Sequence, residues 1–221
     1  MFLHNFLPKI ELTRIDSPNG RKYLTPEGNS YMSVTTFLGQ QSKESIDEWR
    51  KAVGEEEANR KSKQATDRGT ALHHAIEQML MNEENVIITN YFAKNIYKSF
   101  SKKIKEKVNN IRALEYPLYS DVMKLAGSLD LFADWDNVPS IIDFKTATKF
   151  KDKYEIESYF LQTSIYSYMI EERYKIKVPQ LVIVIGVEFS NDVQIFVENR
   201  NNFKEKIITL LKERNDKNSK N

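Results

Sequence analysis

The sequence predicts an α/β (α+β) fold in which helices flank a central mixed β-sheet, with an N-terminal hairpin and a helical lobe ahead of the sheet. Two observations carry this prediction. The first half is dominated by segments whose apolar residues recur with the 3.6-residue period of an amphipathic helix. The second half contains five short runs rich in β-branched and aromatic residues, and one of them, residues 180–189, is apolar enough for a strand buried on both faces.

The N-terminal elements follow from turn signals and apolar spacing. Residues 10–24 predict a β-hairpin whose turn lies at 16–20, and a second turn is expected at 25–30. Residues 34–64 are expected to be helical, with Trp49 as the anchor of this segment in the core.

Two stronger helical patterns follow, at residues 65–82 and 88–108. Each carries one apolar stripe at the spacing of a buried helix face. The first stripe consists of Leu72, Ala75, Ile76, Met79 and Leu80, and the second of Phe92, Ile96, Phe100, Ile104 and Val108.

The pattern then changes to strands. Three β-rich runs at 111–120, 124–135 and 140–147 predict an antiparallel meander. The remaining expected elements are a helix at 155–174, a strand at 192–198 that pairs with the run at 180–189 after a turn at 190–192, and a last helix at 200–214.

Length and composition suit a globular chain, with 40% apolar and 29% charged residues. We expect residues 1–221 to form a single domain, with a helical lobe at 30–110, a sheet core at 111–200 and a frayed tail at 215–221. The N-terminus lacks the pattern of a signal peptide, and no apolar run is long enough to span a bilayer. A cytoplasmic location without membrane contact, in a bacterial cell or a phage-infected host, is therefore expected.

The chain contains no cysteine and three histidines. The lack of cysteine excludes disulfides, thiolate zinc sites, iron–sulfur clusters and a cysteine nucleophile. With three histidines, a metal site built from several histidines is nearly excluded as well. Any metal must be held mostly by oxygen ligands, which favours Mg²⁺ or Mn²⁺. The net charge is only +2, but basic runs at 60–63, 101–107 and 149–153 are compatible with an anionic partner as well as with solvated helix faces.

Charged residues interrupt the predicted core strands. Asp143 and Lys145 lie two apart in the third run of the meander, so they project from one face, while Ile142 and Phe144 project from the other. Asp130 lies in the preceding run, and two close carboxylates repel each other unless a cation joins them. An Asp–Lys salt bridge on a solvent-facing strand is the alternative. However, this is the only place in the chain where an acidic residue precedes lysine by two positions.

Two predicted helices carry further candidates. His73 lies at the flank of the first apolar stripe, His74 points to solvent, and Glu77 lies one turn after His73 on the same side. A packing histidine is the alternative interpretation of His73. Gln162 and Tyr166 share one face of a later helix, which by itself is equally typical of an ordinary amphipathic helix.

Together these motifs resemble those of the PD-(D/E)XK nuclease superfamily, specifically its RecB-like branch. That branch has a helical G-T-x-x-H, a G-x-x-D strand, a D-x-K strand and a Q-x-x-x-Y helix. All four occur here in that order, as Gly69-Thr70-Ala71-Leu72-His73, Gly127-Ser128-Leu129-Asp130, Asp143-Phe144-Lys145 and Gln162-Thr163-Ser164-Ile165-Tyr166.

The N-terminal half is also similar to the mitochondrial genome maintenance exonuclease and its phage and bacterial relatives. The matching stretches are "YMSVTTFLG", a tryptophan followed by "VGEEEA", and "RGTALH". The resemblance covers about residues 30–190 and implies a restriction-endonuclease-like fold.

The resemblance implies a site and a cofactor. The implied metal ligands are His73, Asp130, Asp143 and the backbone carbonyl of Phe144, and the implied catalytic residues are Lys145, Asp143, Asp130 and His73. Lys145 is expected to orient or activate the attacking water and to offset charge in the transition state. Mg²⁺ is the expected cofactor, with Mn²⁺ as a substitute. Relatives that hold an iron–sulfur cluster do so through cysteines, which this chain lacks.

The resemblance also implies supporting roles. Glu115 and Glu77 are candidates for contacts to the site through water or for binding a second metal. The residues expected to brace the site or bind the substrate are Gln162, Tyr166, Arg68 and Ser33, the last two through phosphate.

The function that the resemblance implies is that of a divalent-metal-dependent DNA exonuclease acting on free ends of single-stranded DNA. The expected settings are DNA replication, recombination, repair or phage DNA processing, with a replication or recombination protein as a further partner. Four aromatic residues of the helical lobe are expected to contact the strand, namely Tyr91, Phe92, Tyr97 and Phe100. Two alternatives stay open: a structure-specific or restriction-type endonuclease of the same superfamily, and a non-catalytic DNA-binding recombination partner.

Overall fold

The computed structural model describes residues 1–18, 20–190 and 192–219. These residues form an eight-stranded mixed sheet with helices on both faces, which confirms the predicted class. The strands are β1 (Thr13–Ser17), β2 (Gly20–Leu24), β3 (Ser30–Ser33), β4 (Val108–Ser120), β5 (Leu125–Trp135), β6 (Val138–Ala147), β7 (Gln180–Val187) and β8 (Val193–Asn199). The helices are α1 (Val34–Gly39), α2 (Lys43–Val53), α3 (Glu55–Leu80), α4 (Tyr91–Lys107), α5 (Glu157–Tyr174) and α6 (Lys204–Asn218), with 3₁₀ turns at Gln40–Ser42 and Arg200–Phe203.

The sheet is split beside β5. β4, β5 and β6 form the predicted antiparallel meander, and β7 pairs in parallel with β6 and antiparallel with β8. β4 runs along one side of β5, whereas the other side pairs with β3 at Ala126 and with β6 from Leu131 onwards. Among the described residues, 127–129 of β5 therefore have ladder partners only in β4, and Asp130 has none in either neighbouring strand.

Alternating side chains of β6 separate two apolar cores. Ile142 and Phe144 pack with the apolar stripes of α3 and α4 on one face of the sheet. Ile141 packs with α1, α5 and α6 on the other face. Because side chains alternate along a strand, Asp143 and Lys145 project toward the α5 face, as the sequence predicts.

A glycine lets the helical layer approach the sheet closely. A Cβ atom on Gly186 of β7 would collide with the side chains of Ile96 and Phe100 of α4. Both side chains are buried, so a bulkier residue at this position would overpack the core. The contact sets the height of α4, and of α3 packed against it, above the sheet.

The prediction that Trp49 and Phe92 are core residues was wrong. Trp49 is 38% exposed and Phe92 is 41% exposed. None of the residues of α2, all of which are described, is buried, so α2 has no core anchor. The buried face of α4 starts instead at Ala93 and continues through Ile96. An apolar stripe indicates which side of a helix is apolar, but not how far along its length that side is covered.

The predicted helix at 34–64 is interrupted. Gly54 lies between α2 and α3 with φ of 86°, a left-handed conformation that favours glycine. α3 then continues through the predicted helix at 65–82 as one helix of 26 residues. Strand β3 was not predicted; it pairs in parallel with β5 and thereby joins the N-terminal hairpin to the main sheet.

The C-terminal α-helix begins and ends four residues later than predicted. α6 extends to Asn218, into the tail expected at 215–221. Lys220 and Asn221 of that tail lie outside the described residues, as do Asn19 and Asn191 in the predicted turns at 16–20 and 190–192. Within the described part of the chain, no helix is long and apolar enough to cross a membrane.

Candidate active site

The two aspartates of the strand motifs lie at a fork in the sheet. The ladder between β5 and β6 ends at the pair formed by Leu131 and Ile142. Asp130 and Asp143 are the next residues, one on each strand, where the strands part and β6 continues beside β7. Asp130 Oδ2 accepts a hydrogen bond of 2.8 Å from the backbone N–H of Phe144, which bridges the fork.

Two further side chains converge on Asp130. His73 Nδ1, from α3, lies 3.4 Å from Glu115 Oε1 and 3.7 Å from Asp130 Oδ2. Ligand atoms of these three residues all lie within 4.8 Å of one another, which is close enough for one metal ion to bind all three. α3, β4 and β5 thus each contribute one group to a single cluster.

The backbone carbonyl of Phe144 contacts His73. Its oxygen lies 2.7 Å from His73 Nε2, and because a carbonyl only accepts hydrogen bonds, Nε2 carries the donated proton. Nδ1 is then the nitrogen that faces Glu115 and Asp130. A histidine that binds metal through one nitrogen commonly donates the other N–H to such an acceptor. The Phe144 carbonyl, which the resemblance implies as a metal ligand, thus accepts a hydrogen bond from His73.

Glu115 is held in an unusual backbone conformation. Its φ is 43°, in the left-handed region that costs a non-glycine residue about 1–3 kcal/mol. Its neighbours Leu114 and Tyr116 pair with the residues on either side of Asp130, so Glu115 and Asp130 lie opposite each other across the ladder. Strain of this kind is common where a side chain is held for function.

Asp143 is buried, and two side chains donate to the same oxygen of its carboxylate. Lys145 Nζ donates to Oδ1 at 2.7 Å, and Gln162 Nε2 donates to Oδ1 at 3.1 Å. Nζ also lies 2.5 Å from Oδ2, but without hydrogen-bond geometry, and Oδ2 accepts no hydrogen bond from the described residues. Gln162 of α5 and Lys145 of β6 therefore fix the orientation of Asp143, and the ammonium group of Lys145 lies close to both oxygens of its carboxylate.

Tyr166 fills the split beside β5. Its phenol lies directly over Gly127, where a Cβ atom would collide with the ring and the hydroxyl. The G-x-x-D and Q-x-x-x-Y motifs are thus linked by packing, because the glycine makes room for the tyrosine. Burial, and then the charge of Asp130, raises the pKa of Tyr166 well above its ordinary value, so the phenol stays neutral.

The charges at the fork shift one another's protonation. Burial raises the pKa of Asp143 to about 6, helped by repulsion from Asp130 and opposed by the ammonium group of Lys145. Burial alone would lower the pKa of His73, but attraction to Asp130 and Glu115 outweighs it and raises that pKa to about 9. Burial likewise opposes the charge of Lys145, yet Asp143 and Asp130 raise its pKa above the ordinary value. The cluster of carboxylates therefore favours a positive charge beside it.

The residues at the fork fit a divalent cation. Asp143 is a buried carboxylate whose Oδ2 already lies 2.5 Å from the ammonium group of Lys145. Repulsion between Asp143 and the nearby Asp130 helps to raise the pKa of Asp143, and a further cation beside the two carboxylates would relieve that repulsion. His73, Glu115 and Asp130 bring one imidazole and two carboxylates together, and Asp143 adds a third carboxylate beside Asp130 at the fork. Oxygen-rich surroundings of this kind suit Mg²⁺ or Mn²⁺.

Glu77 does not join this cluster. Its Oε2 lies 3.6 Å from Nδ1 of His74; the side chain of His74 is exposed and that of Glu77 is half-buried. The helix carries Glu77 to the solvent side, although it follows His73 by one turn.

Arg68 and Ser33 also make contacts of their own. Arg68 is buried and forms an ion pair with Glu188 at the end of β7. Ser33 is buried as the N-cap of α1, where its Oγ accepts a hydrogen bond of 3.0 Å from the backbone N–H of Thr36. Ser33 is therefore committed to a helix terminus.

Carboxylates, an imidazole and a lysine at the fork of a mixed sheet form the kind of site that a cation-dependent hydrolase uses. The chain matches the model of the PD-(D/E)XK nuclease superfamily over residues 39–217, and it belongs to that superfamily. No curated protein matches the chain. Members of the superfamily are nucleases that use divalent metals and act on DNA.

Proposed function

We propose that the protein is a divalent-metal-dependent DNA exonuclease that hydrolyses phosphodiester bonds from the free ends of single-stranded DNA. Mg²⁺ is its proposed cofactor, and Mn²⁺ substitutes for it. The observation that carries the proposal is the convergence of His73, Glu115 and Asp130 beside the Asp143–Lys145 pair at the fork. The order of the four sequence motifs supports the RecB-like branch, and with it a role in DNA replication, recombination, repair or phage DNA processing beside a protein partner.

In this proposal the metal is held by His73 Nδ1 and by the carboxylates of Asp130, Asp143 and Glu115. When bound, a divalent cation neutralises charge on the scissile phosphate and lowers the pKa of a water molecule. Lys145 orients that water and offsets the negative charge that develops on the phosphate in the transition state.

The residues around the fork position this machinery. Gln162 holds Asp143 through its 3.1 Å hydrogen bond. Tyr166 packs against Gly127, where β3 and β6 separate on the same side of β5. Both therefore act on the geometry of the carboxylates. A misplacement of about 1 Å at such a site is enough to cost about two orders of magnitude in rate.

Open space beside α3 supports an extended substrate. Gly69 lies one turn before His73 on the same helix face, and no described atom lies within 4 Å of the position that its Cβ would take. A phosphodiester backbone can therefore approach α3 next to His73 without a steric obstacle. This open approach gives a physical role to the glycine of the G-T-x-x-H motif.

A comparison of linear and circular single-stranded DNA tests the need for a free end. We expect a linear strand to be degraded to small products with Mg²⁺, while a closed circle of the same sequence resists. Cutting of both at equal rates would establish the endonuclease alternative. Binding of both without cutting would establish the non-catalytic DNA-binding alternative.

A further inference from the structure

A cleft of about 740 Å³ opens directly beside the candidate active site. Its floor includes Thr146, Ala147 and Thr148, which immediately follow Lys145 along β6. α2 and the first half of α3 form one wall, and the turn after β7 forms another. The cleft therefore adjoins the part of β6 that follows Lys145 and the part of α3 that precedes His73.

The rim of the cleft carries three exposed aromatic rings, from Trp49, Phe92 and Phe189. Phe189 is 86% exposed, and its φ of 61° is a true outlier for a bulky residue. Its ring meets that of Phe92 edge to face, with centroids 6.0 Å apart. A strained backbone that presents an apolar ring to solvent is typical of a ligand clamp.

The charge of the lining favours an anion. Four basic and two acidic side chains line the cleft. The two acids are already paired, Asp67 with Lys63 at 2.8 Å and Glu188 with Arg68. Arg68 is buried, and its Nε has no hydrogen-bond partner among the described residues.

The outer basic groups are available to a phosphate. Arg60 and Lys151 pair with the partly exposed carboxylates of Glu57 and Glu155. Ion pairs of this kind contribute little free energy in water, so phosphates can displace them. Exposed rings alternating with basic groups form the surface that holds a single strand, with bases on the rings and phosphates on the cations.

We propose that this cleft binds unpaired nucleotides of the substrate strand, with one base stacked on Phe189, another on Trp49, and phosphates on Arg60 and Lys151. The inference rests on the proposed function, because it assumes that the bound strand is then cleaved at the fork. Binding in the cleft does not itself require hydrolysis. In this proposal Phe189 distinguishes single-stranded from double-stranded DNA. A base can stack on Phe189 only if one of its faces is free, whereas a paired base inside a duplex has both faces covered by its neighbours.

Substitution of Phe189 tests the proposal through affinity rather than activity. Binding of a fluorescent twelve-nucleotide thymidine strand and of a duplex of the same length is measured in EDTA. We expect Phe189→Ala to weaken binding of the strand by about 10-fold and binding of the duplex by less than about 2-fold. Phe189→Tyr should retain strand affinity, since it keeps the ring.

Phe6→Ala is the matched control, because Phe6 is an exposed phenylalanine outside the cleft. The Phe6→Ala protein should bind the strand with the affinity of the wild type. Equal strand affinity in wild type and Phe189→Ala would overturn the proposal. So would a wild type that binds no strand but self-associates in analytical ultracentrifugation, since a second copy would then be the occupant. If the proposed function is wrong, the result is a different one: the wild-type protein binds the strand but does not cleave it when Mg²⁺ is present.

Tryptophan fluorescence locates the bound strand independently. The chain has two tryptophans, the exposed Trp49 and the buried Trp135. We expect a saturating thymidine strand in EDTA to quench the wild-type emission and to leave the emission of Trp49→Phe unchanged. Equal quenching in both proteins would place the strand elsewhere and contradict the proposal.

Discussion

Replacing Lys145 with alanine is expected to reduce DNA cleavage by at least about 10³-fold while the protein still folds and binds DNA. The ammonium group lies 2.7 Å from Asp143 Oδ1, at the fork where the reacting phosphate would bind. Its loss removes both the charge that stabilises the transition state and the group that lowers the pKa of Asp143. Release of nucleotides from an end-labelled single strand, in Mg²⁺, gives the rate.

Lys149→Ala provides the control. Lys149 is an exposed lysine four residues further on, 3.9 Å from Glu155, so its removal changes the net charge equally without touching the fork. We expect its cleavage rate to stay close to that of the wild type. Full activity in a folded Lys145→Ala protein would remove Lys145 from the mechanism.

The second large effect is expected for Asp130→Asn, which should weaken Mn²⁺ binding by about 100-fold or more. Loss of a group that merely supports a metal ligand typically costs 10- to 100-fold, and Asp130 is proposed to bind the metal directly. An asparagine oxygen can still accept the hydrogen bond from Phe144 N, so the fork should stay closed. Calorimetric titration with Mn²⁺ measures the affinity.

Asp136→Asn is the same substitution at the opposite end of the β5–β6 hairpin. Asp136 is exposed and pairs with Lys107, so its Mn²⁺ affinity should match that of the wild type. If Asp130→Asn also binds Mn²⁺ like the wild type, the metal is held by other groups. If the wild type binds no Mn²⁺, the result favours the alternative of a non-catalytic DNA-binding recombination partner.

Local motifs predicted most of the fold because they carry their own periodicity. The alternation in β6 separated Ile142 and Phe144 from Asp143 and Lys145, and the two apolar cores follow that separation. The G-x-x-D and D-x-K motifs indicated two aspartates on adjacent strands, and both lie at the fork. In each case the signal lies within a few residues of the feature that it predicts.

Contacts between residues far apart in the chain could not be predicted from the sequence in the same way. Glu115 and Glu77 were equal candidates in the sequence, and only the register of β4 against β5 brings Glu115 to His73. The same limit explains Trp49, whose apolar character suggested the core, although no residue of α2 is buried. Phe189 was wrongly placed in the buried strand predicted at 180–189: β7 ends at Val187, and the left-handed backbone of Phe189 turns its side chain out to 86% exposure.

The proposed activity of the protein depends on metal-dependent hydrolysis at the fork. Its most direct test is digestion of a single-stranded oligonucleotide, labelled at either end, by the wild-type protein in Mg²⁺, in Mn²⁺ and in EDTA. We predict stepwise shortening from a free end in either metal, no cleavage in EDTA, and recovery when Mg²⁺ is restored. Cleavage that persists in EDTA, or intact DNA in both metals, would contradict it.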